Sequence, residues 1–208
     1  MNLAANHGIY AITDCVNHSS SEVLEKTETI LEGGATLLQY RDKKNNFEHK
    51  LKLANELKLL CNKFNVPLII NDDIELAKKI SADGVHLGRH DQDIKTTREY
   101  LGSIIIGISC YNDFNRAVMA KNLGADYIAF GSFYLSPTKP DAVTANTELL
   151  INAKKEINLP IVAIGGITPE NGKVLLDNGA DFLAIISGLY SAEDTNTALK
   201  EYMKLFTN

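Results

Sequence analysis

Short apolar runs alternate with longer segments of helical periodicity along the whole chain. The apolar runs have strand length and are continuous rather than alternating, which is typical of parallel strands that are covered on both faces. They predict eight strands, at Ile9–Thr13, Ala35–Tyr40, Pro67–Asn71, Gly84–Leu87, Ile104–Ser109, Tyr127–Phe130, Pro160–Ile164 and Phe182–Ile186.

The segments between these runs predict helices, and glycine follows several of them, where a left-handed cap favours that residue. The helices are expected at Ser21–Glu32, Glu48–Phe64, Ile74–Ile80, Ile94–Leu101, Asp113–Leu123, Glu148–Ile157, Pro169–Asn178 and Thr195–Phe206. One βα unit repeated along the chain predicts an α/β fold, a (β/α)₈ TIM barrel in a single domain over residues 1–208. An open doubly wound sheet is the alternative, but it should interrupt the repeat at its switch point.

Composition narrows the class of protein. The 208 residues carry a formal net charge of −5, so no global positive field recruits nucleic acid or an anionic membrane. No apolar run approaches the ~18 residues that a membrane-spanning helix needs, and the first residues have no basic start and no long apolar stretch, so no secretion signal is expected. The cysteines Cys15, Cys61 and Cys110 are odd in number and scattered. This usage fits a reducing compartment and predicts a cytoplasmic protein.

The carboxyl ends of the strands are the place to look for a site, because active sites of parallel barrels lie there. Gly165 and Gly166 follow the seventh strand, and Ser187 and Gly188 follow the eighth. Glycines at these two positions let backbone N–H groups approach an anion, which predicts a phosphate site. The alternative is that these glycines only make tight turns.

A second cluster at the same end combines both signs of charge. Asp72 and Asp91 follow neighbouring strands and could hold one Mg²⁺, while Arg41, Lys43 and Lys139 would neutralise a diphosphate. The alternative for Asp72 and its neighbour Asp73 is helix capping, and the alternative for the lysines is a solvated loop charge.

Other candidate residues are less informative. His86 and His90 lie at a strand exit and fit a structural or rim position. Ser109 has no histidine beside it in the sequence, so a nucleophilic triad is not supported. Cys110 has no evident partner base and fits a small buried residue.

Five segments, in this order and spacing, resemble the thiamine phosphate synthase family over about Tyr10 to Tyr190. They are Tyr10–Asp14, Gln39–Lys43, Ile70–Asp73, Gly84–Gly88 with Asp91, and Ala163–Thr168. The resemblance implies an enzyme that joins a hydroxymethylpyrimidine diphosphate to a thiazole phosphate and releases pyrophosphate through a pyrimidine-stabilised carbocation. Such an enzyme needs neutralisation of the leaving group and positioning rather than a strong protein nucleophile.

The resemblance also implies the site residues. Those for the pyrimidine diphosphate are Gln39, Tyr40, Arg41, Asp42, Lys43, Asn71, Ser109 and Lys139, with Arg41, Lys43, Ser109 and Lys139 acting in catalysis. Those for the thiazole phosphate are Ser136, Pro137, Thr138, Gly165, Gly166, Ile186 and Ser187. Mg²⁺ would be the cofactor, held by Asp72 and Asp91. The partners would be these two small phosphorylated molecules, and a homo-oligomer is possible.

The sequence departs from the family pattern at two places. Ser136 replaces a threonine and keeps the hydroxyl, and Tyr111 stands where the family commonly has a histidine. The thiazole tautomerase branch of the same superfamily uses that histidine and usually lacks the acidic pair, so the synthase is favoured. A non-catalytic phosphate-ligand sensor on a barrel also stays open. The longest irregular segment, residues 131–146, is expected to order over bound ligands.

Overall fold

A computed structural model describes residues 7–89, 91–135 and 145–207. Within these ranges the strands form one closed parallel barrel in chain order, with β1 pairing to β8. This closure confirms the (β/α)₈ TIM barrel and excludes the open sheet, which would leave both edges unpaired. The strands are β1 Gly8–Ile12, β2 Leu37–Tyr40, β3 Leu68–Asn71, β4 Gly84–Leu87, β5 Ile105–Tyr111, β6 Tyr127–Gly131, β7 Ile161–Ile164 and β8 Phe182–Ile185.

The helices surround the barrel as α1 Ser20–Glu32, α2 Phe47–Phe64, α3 Ile74–Lys79, α4 Ile94–Leu101, α5 Phe114–Asn122, α6 Glu148–Glu156, α7 Gly172–Asp177, α8 Ser187–Tyr190 and α9 Thr195–Met203. A 3₁₀ turn follows at Lys204–Phe206. The sequence did not predict α8, because a single turn is too short to show helical periodicity. In the described part of the chain, no helix is both long enough and apolar enough to cross a membrane.

Aspartates begin several of the helices by capping them. The carboxylate of Asp73 accepts the N–H of Leu76, and Asp93, Asp113 and Asp194 cap α4, α5 and α9 in the same way. A side-chain acceptor here satisfies an N–H group that has no partner inside the helix.

Two layers of side chains hold the barrel together. One cluster fills the interior and includes Tyr10, Leu37, Ile69, Tyr127 and Phe182. The other lies between the strands and the helices. Because side chains alternate along a strand, residues that share the parity of the interior cluster at the carboxyl ends point toward the mouth. Four residues at the carboxyl ends have this parity, because each lies two positions after an inward-facing residue of its own strand. They are Gln39 after Leu37, Asn71 after Ile69, Ser109 after Gly107 and Ile186 after Ala184.

Candidate active site

The acidic pair lies at the ends of β3 and β4, as the sequence predicted. The Asp72 N–H donates to the carbonyl of His86 at 2.9 Å, which ties the end of β3 to β4. Asp72 has a φ of 61°, in the left-handed region that aspartate and asparagine tolerate better than most residues. Its carboxylate pairs with the ammonium of Lys43. Asp72 is therefore held beside a cation at the mouth and does not cap a helix, whereas Asp73 does.

Asp91 faces the same place from the loop after β4. Its Oδ2 accepts the N–H of Gly88 at 2.6 Å, and its carboxyl group lies within hydrogen-bonding reach of Asp72. Partial burial and the neighbouring Asp72 raise the pKa of Asp91. Two carboxylates brought together in this way repel one another, and a divalent cation between them would relieve the repulsion. The pair fits Mg²⁺, which commonly takes one or two protein carboxylates, substrate phosphates and waters.

The loop after β2 is built to present Arg41 and Lys43. The Asp42 carboxylate accepts the backbone N–H groups of Lys44 and Asn45 and the side-chain amide of Asn45. Burial alone would raise the pKa of Asp42, but these hydrogen bonds outweigh it and lower the pKa. The Thr13 hydroxyl accepts the N–H of Arg41 at 2.9 Å, which fixes the backbone of that loop to β1.

Two residues implied for the pyrimidine diphosphate do not present their side chains to the mouth. Tyr40 is buried in the cluster between strands and helices, and its hydroxyl donates to Asp42 at 3.1 Å. Both oxygens of Asp42 are taken up by the loop. A side-chain contact of Tyr40 or Asp42 with a substrate does not fit this placement, because the alternation along β2 turns Tyr40 away from the interior. Their side chains shape the loop that carries Arg41 and Lys43.

The end of β5 is irregular where Ser109 leaves the barrel. The pairing register with β6 shifts between Ser109 and Tyr111, and Tyr111 has a φ of 55°. A bulge of this kind redirects side chains at a barrel rim. The guanidinium of Arg116 joins the ends of two strands, because it donates to the carbonyls of Ser109 at 2.7 Å and Gly88 at 3.0 Å. Tyr111 accepts the N–H of Arg89 at 3.2 Å, and the Arg89 guanidinium lies 4.9 Å from its ring centre.

A chain of hydrogen bonds crosses the barrel interior and ends at two predicted site residues. The Gln39 amide Nε2 donates to the Tyr10 hydroxyl at 2.8 Å, and the hydroxyls of Tyr10 and Tyr127 lie 2.7 Å apart. His86 joins Tyr127 to Ser109, with Nδ1 2.9 Å from the Tyr127 hydroxyl and Nε2 2.8 Å from the Ser109 Oγ. Ser109 is half-buried, and the other four residues are buried. These five polar side chains therefore form one connected set.

Of the two positions expected for His86, structural or rim, the buried chain favours the structural one, and it gives Ser109 a histidine partner that its sequence neighbours do not supply. The contact was hidden because the two residues are far apart in sequence and meet only where β4 and β5 pair. Burial lowers the pKa of His86 to about 4. The other ring nitrogen faces a tyrosine rather than a carboxylate, so His86 is a weak base and the pair is not a nucleophilic triad.

The ends of β7 and β8 present main-chain N–H and C=O groups to the mouth rather than charged side chains. The carbonyls of Gly165 and Gly166 accept the Tyr134 N–H and the Asn171 amide, and the carbonyl of Ile167 accepts the Tyr202 hydroxyl. Among the described residues, no protein acceptor takes the N–H of Gly166. Ser187 begins α8, and the first N–H groups of a helix have no partner inside it. Backbone donors are thus available on this side of the mouth.

Steric requirements also account for these glycines. Gly166 has a φ of 62°, and a Cβ there would lie 2.4 Å from the carbonyl oxygen of Leu135. A Cβ on Gly188 would lie 2.1 Å from the Tyr202 hydroxyl. The tight-turn interpretation therefore holds, and it is compatible with anion binding, because among the described residues no protein acceptor takes the N–H of Gly166.

The mouth thus has two parts. We call Lys43, Asp72 and Asp91 the charged half, and Gly165, Gly166 and Ser187 the backbone half. Ser136, Pro137, Thr138 and Lys139 lie outside the described residues, as does His90. Cys110 is fully buried, and burial raises the pKa of its thiol to about 12. Among the described residues, no group of three or more His, Cys, Asp or Glu side chains is arranged for a metal ion. A metal here would depend on the acidic pair and on its substrate.

Sequence reasoning missed Tyr10, Tyr127 and Arg116. The two tyrosines appear in the sequence as members of apolar strands, and their hydroxyls meet only because the barrel closes. Their parity with other interior residues was the available signal, since a tyrosine inside a barrel needs a partner for its hydroxyl. For Arg116 no local signal existed, because its acceptors are backbone carbonyls on two other elements.

Comparisons with known proteins agree with this geometry. The family model described as thiamine monophosphate synthase matches residues 9–189. A thiamine-phosphate synthase of Nitrosococcus oceani is 46% identical over 96% of this chain and 92% of the relative, and one of Thiobacillus denitrificans is 47% identical over 96% and 94%. The solved thiamine phosphate pyrophosphorylase from Pyrococcus furiosus has a TM-score of 0.89 at 32% identity and covers 98% of this chain and 97% of that one. The chain therefore belongs to the thiamine monophosphate synthase family.

Proposed function

We propose that this protein is a thiamine phosphate synthase, which condenses 4-amino-2-methyl-5-hydroxymethylpyrimidine diphosphate with 4-methyl-5-(2-phosphoethyl)thiazole and releases pyrophosphate; with the carboxylated thiazole, CO₂ would be lost as well. The observation that carries the proposal is the pairing of a charged half and a backbone half at one mouth, in a chain of this family. A diphosphate and a phosphomonoester need two anion sites of different strength, and the mouth offers both.

The charged half would take the diphosphate. Lys43 is exposed beside Asp72, so its ammonium can turn to a phosphate oxygen at little cost. Arg41 stands on the same loop and adds a planar fork of donors. Lys139 follows from the family resemblance and completes the set of cations. When bound by Asp72 and Asp91, Mg²⁺ would supply the additional positive charge that a departing pyrophosphate requires.

The reaction breaks the bond between the pyrimidine's exocyclic carbon and the diphosphate oxygen, and the electron pair leaves with pyrophosphate. The thiazole nitrogen then supplies the electron pair for the new C–N bond. No protein nucleophile takes part, which agrees with the low basicity of His86 beside Ser109. The protein's task is to hold both partners in line and to stabilise the leaving charge.

The backbone half would take the thiazole phosphate. Gly166 and Ser187 offer N–H groups at a position where barrels commonly bind a phosphate. Ser136 and Thr138, from the family resemblance, would add hydroxyl donors. Ile186 precedes Ser187 with the parity of the interior, so its side chain packs below the site rather than against solvent.

The test is reconstitution. Purified protein, both substrates and Mg²⁺ should yield thiamine phosphate and an equal amount of pyrophosphate, and omission of any one component should abolish both.

Lys139→Ala should lower kcat more than it weakens ground-state binding, because leaving-group charge grows toward the transition state. Binding of both ligands with no product would favour the sensor, and isomerisation of the thiazole alone would favour the tautomerase.

A further inference from the structure

The hydrogen-bond chain from Gln39 to Ser109 contains no ionised group. Its members are an amide, two buried phenol hydroxyls, an imidazole whose two ring nitrogens each face a hydroxyl, and a serine hydroxyl, so no side-chain carboxylate, ammonium or guanidinium group belongs to the chain. Each neutral member has one proton to give toward one neighbour and one lone pair to offer the other. The direction of donation at one end of the chain therefore sets the direction at the other end.

Only two arrangements leave every member satisfied. In the first, the Gln39 N–H donates to Tyr10, Tyr10 donates to Tyr127, Tyr127 donates to Nδ1 of His86, and Nε2–H donates to Ser109. In the second, every donation is reversed, and Tyr10 donates to the amide oxygen of Gln39. The structure has the first arrangement at Gln39, with Nε2 rather than the oxygen directed at the Tyr10 hydroxyl.

The first arrangement determines what the mouth presents to a ligand. No other described residue bonds to the amide oxygen of Gln39 or to its second N–H, so Gln39 offers an acceptor beside a donor. Ser109 accepts from His86 and keeps its hydroxyl proton free to donate. In the second arrangement the amide of Gln39 is turned over, and its oxygen accepts from Tyr10. Gln39 would then offer a ligand its two N–H groups and only the one remaining lone pair of that oxygen.

An aminopyrimidine and an oxopyrimidine differ in this same pattern. The amino form presents an exocyclic N–H beside a ring-nitrogen acceptor, which matches a glutamine oxygen beside a glutamine N–H, as in the reading of adenine by amide side chains. The oxo form presents a carbonyl acceptor beside a ring N–H and needs the amide turned over. A site with a freely rotating amide would accept both.

We propose that Tyr10, Tyr127 and His86 are positioning residues that lock the amide of Gln39 in one orientation and thereby select a 4-aminopyrimidine diphosphate over its 4-oxo counterpart. The inference rests on the proposed function, in which Gln39 contacts the pyrimidine. Tyr127 is itself fixed by packing, because Gly107 leaves the space for its ring and a Cβ there would lie 1.9 Å from the ring's Cζ. The chain therefore has no slack that would let Gln39 turn independently.

The experiment removes one hydroxyl from the middle of the chain. Tyr127→Phe and Tyr10→Phe each break the chain and leave Gln39, His86 and Ser109 in place. Tyr190→Phe is the matched control, because Tyr190 is equally buried and loses one hydrogen bond of 2.8 Å to Thr27 outside the site. The measurement is the ratio of kcat/KM for the amino substrate to kcat/KM for the 4-oxo analogue.

The ratio should fall at least about tenfold in Tyr127→Phe and in Tyr10→Phe, because about tenfold is the effect of losing one hydrogen-bond preference. It should stay at the wild-type value in Tyr190→Phe. If both substrates lose activity equally, so that the ratio is unchanged, the chain is only structural and the proposal is overturned. If neither variant folds, the ¹⁵N shifts of His86 in the wild-type protein decide. Protonation at Nε2 with the amino ligand bound supports the lock, and protonation at Nδ1 overturns it.

Calorimetry with each pyrimidine diphosphate alone separates this proposal from the proposed function. Suppose that the wild-type protein makes no thiamine phosphate but prefers the amino ligand, and that Tyr127→Phe loses this preference. The role of the chain in selecting the pyrimidine (the selector) is then supported, and the synthase function is rejected. If the wild-type protein makes thiamine phosphate and neither variant changes the ratio of kcat/KM for the two pyrimidines, the synthase function is supported and the selector is rejected. Equal binding of both pyrimidines, or binding of neither, by the wild-type protein also rejects the selector.

Discussion

The charged half and the backbone half of the mouth offer an anion different kinds of group. In the charged half, Lys43, Asp72 and Asp91 carry their charges on side chains of the loops after β2, β3 and β4. In the backbone half, Gly166 and Ser187 present main-chain N–H groups, at a crowded turn and at the start of α8. A diphosphate that must depart needs charge that can be rearranged, whereas a phosphate that stays bound needs only fixed donors. The two halves should therefore fail under different kinds of substitution.

The largest effect on ligand affinity is expected when a charged side chain is introduced into the backbone half. Ser187→Asp places a carboxylate where the thiazole phosphate should dock, and two like charges repel by about 4 kcal/mol at ~4 Å for a dielectric near ~20. Thiazole phosphate affinity, measured by calorimetry, should fall roughly 1000-fold. Affinity for the pyrimidine diphosphate should change much less.

The control for this substitution is Ser191→Asp, which adds the same charge at the exposed other end of α8. It should leave both affinities nearly unchanged. Equal losses for the two ligands in Ser187→Asp would contradict the division of the mouth into two anion sites.

The next effect comes from removing a charge from the charged half. Asp72→Asn keeps a residue that tolerates a φ of 61° and deletes one of the two carboxylates proposed to hold Mg²⁺. We expect kcat/KM to fall by about 100- to 1000-fold, the scale of losing one electrostatic group at a reacting centre.

Asp73→Asn is the matched control, since asparagine also caps α3 and Asp73 serves as that cap. Its steady-state kinetics and its magnesium dependence should resemble the wild type. Near-normal activity of Asp72→Asn with Mg²⁺ chelated would remove the metal from the charged half.

A pH effect is expected from His86, which lies below the charged half. Burial lowers its pKa from 6.5 to about 4, so between these values the unfolded chain binds a proton that the folded chain does not. Its contribution to stability is complete above pH 6.5 and is lost as the pH falls through about 4. The loss in free energy of unfolding is on the order of 3 kcal/mol.

Urea unfolding at several pH values measures this slope. His86→Gln should flatten it between pH 4 and 6.5, and His49→Gln, at an exposed position, should keep it. A slope that survives in His86→Gln would assign the acid sensitivity to the carboxylates instead.

The smallest effect tests the packing of the backbone half. Gly166→Ala combines a left-handed φ of 62° with a crowded site, whereas Gly124→Ala combines a left-handed φ of 90° with open space. The second variant should lose about 1 kcal/mol of unfolding free energy from backbone strain alone, and the first should lose about 1 to 2 kcal/mol more. Equal losses in denaturant unfolding would mean that the Leu135 carbonyl moves aside freely.

Local pattern predicted elements well and contacts poorly. The strand boundaries agree within two residues because a continuous apolar run is a local property, and the one helix that was missed, Ser187–Tyr190, has a single turn. Position at a strand end was enough to bring Asp72 and Asp91 together. It could not tell that Asp72 faces the mouth while Asp73 caps a helix, since both carboxylates follow the same strand. That division depends on the backbone conformation of each residue.

The sequence by itself determined the repeated βα unit, the closed barrel and the end of the barrel at which the polar residues gather, because each follows from periodicity and from the direction of parallel strands. Only the tertiary structure decided which of those residues act together. Tyr10 and Tyr127 are 117 positions apart, and His86 and Ser109 are 23 apart, yet one chain of hydrogen bonds joins them. Such contacts depend on barrel closure and on the pairing register, which place side chains from distant strands at the same height in one interior.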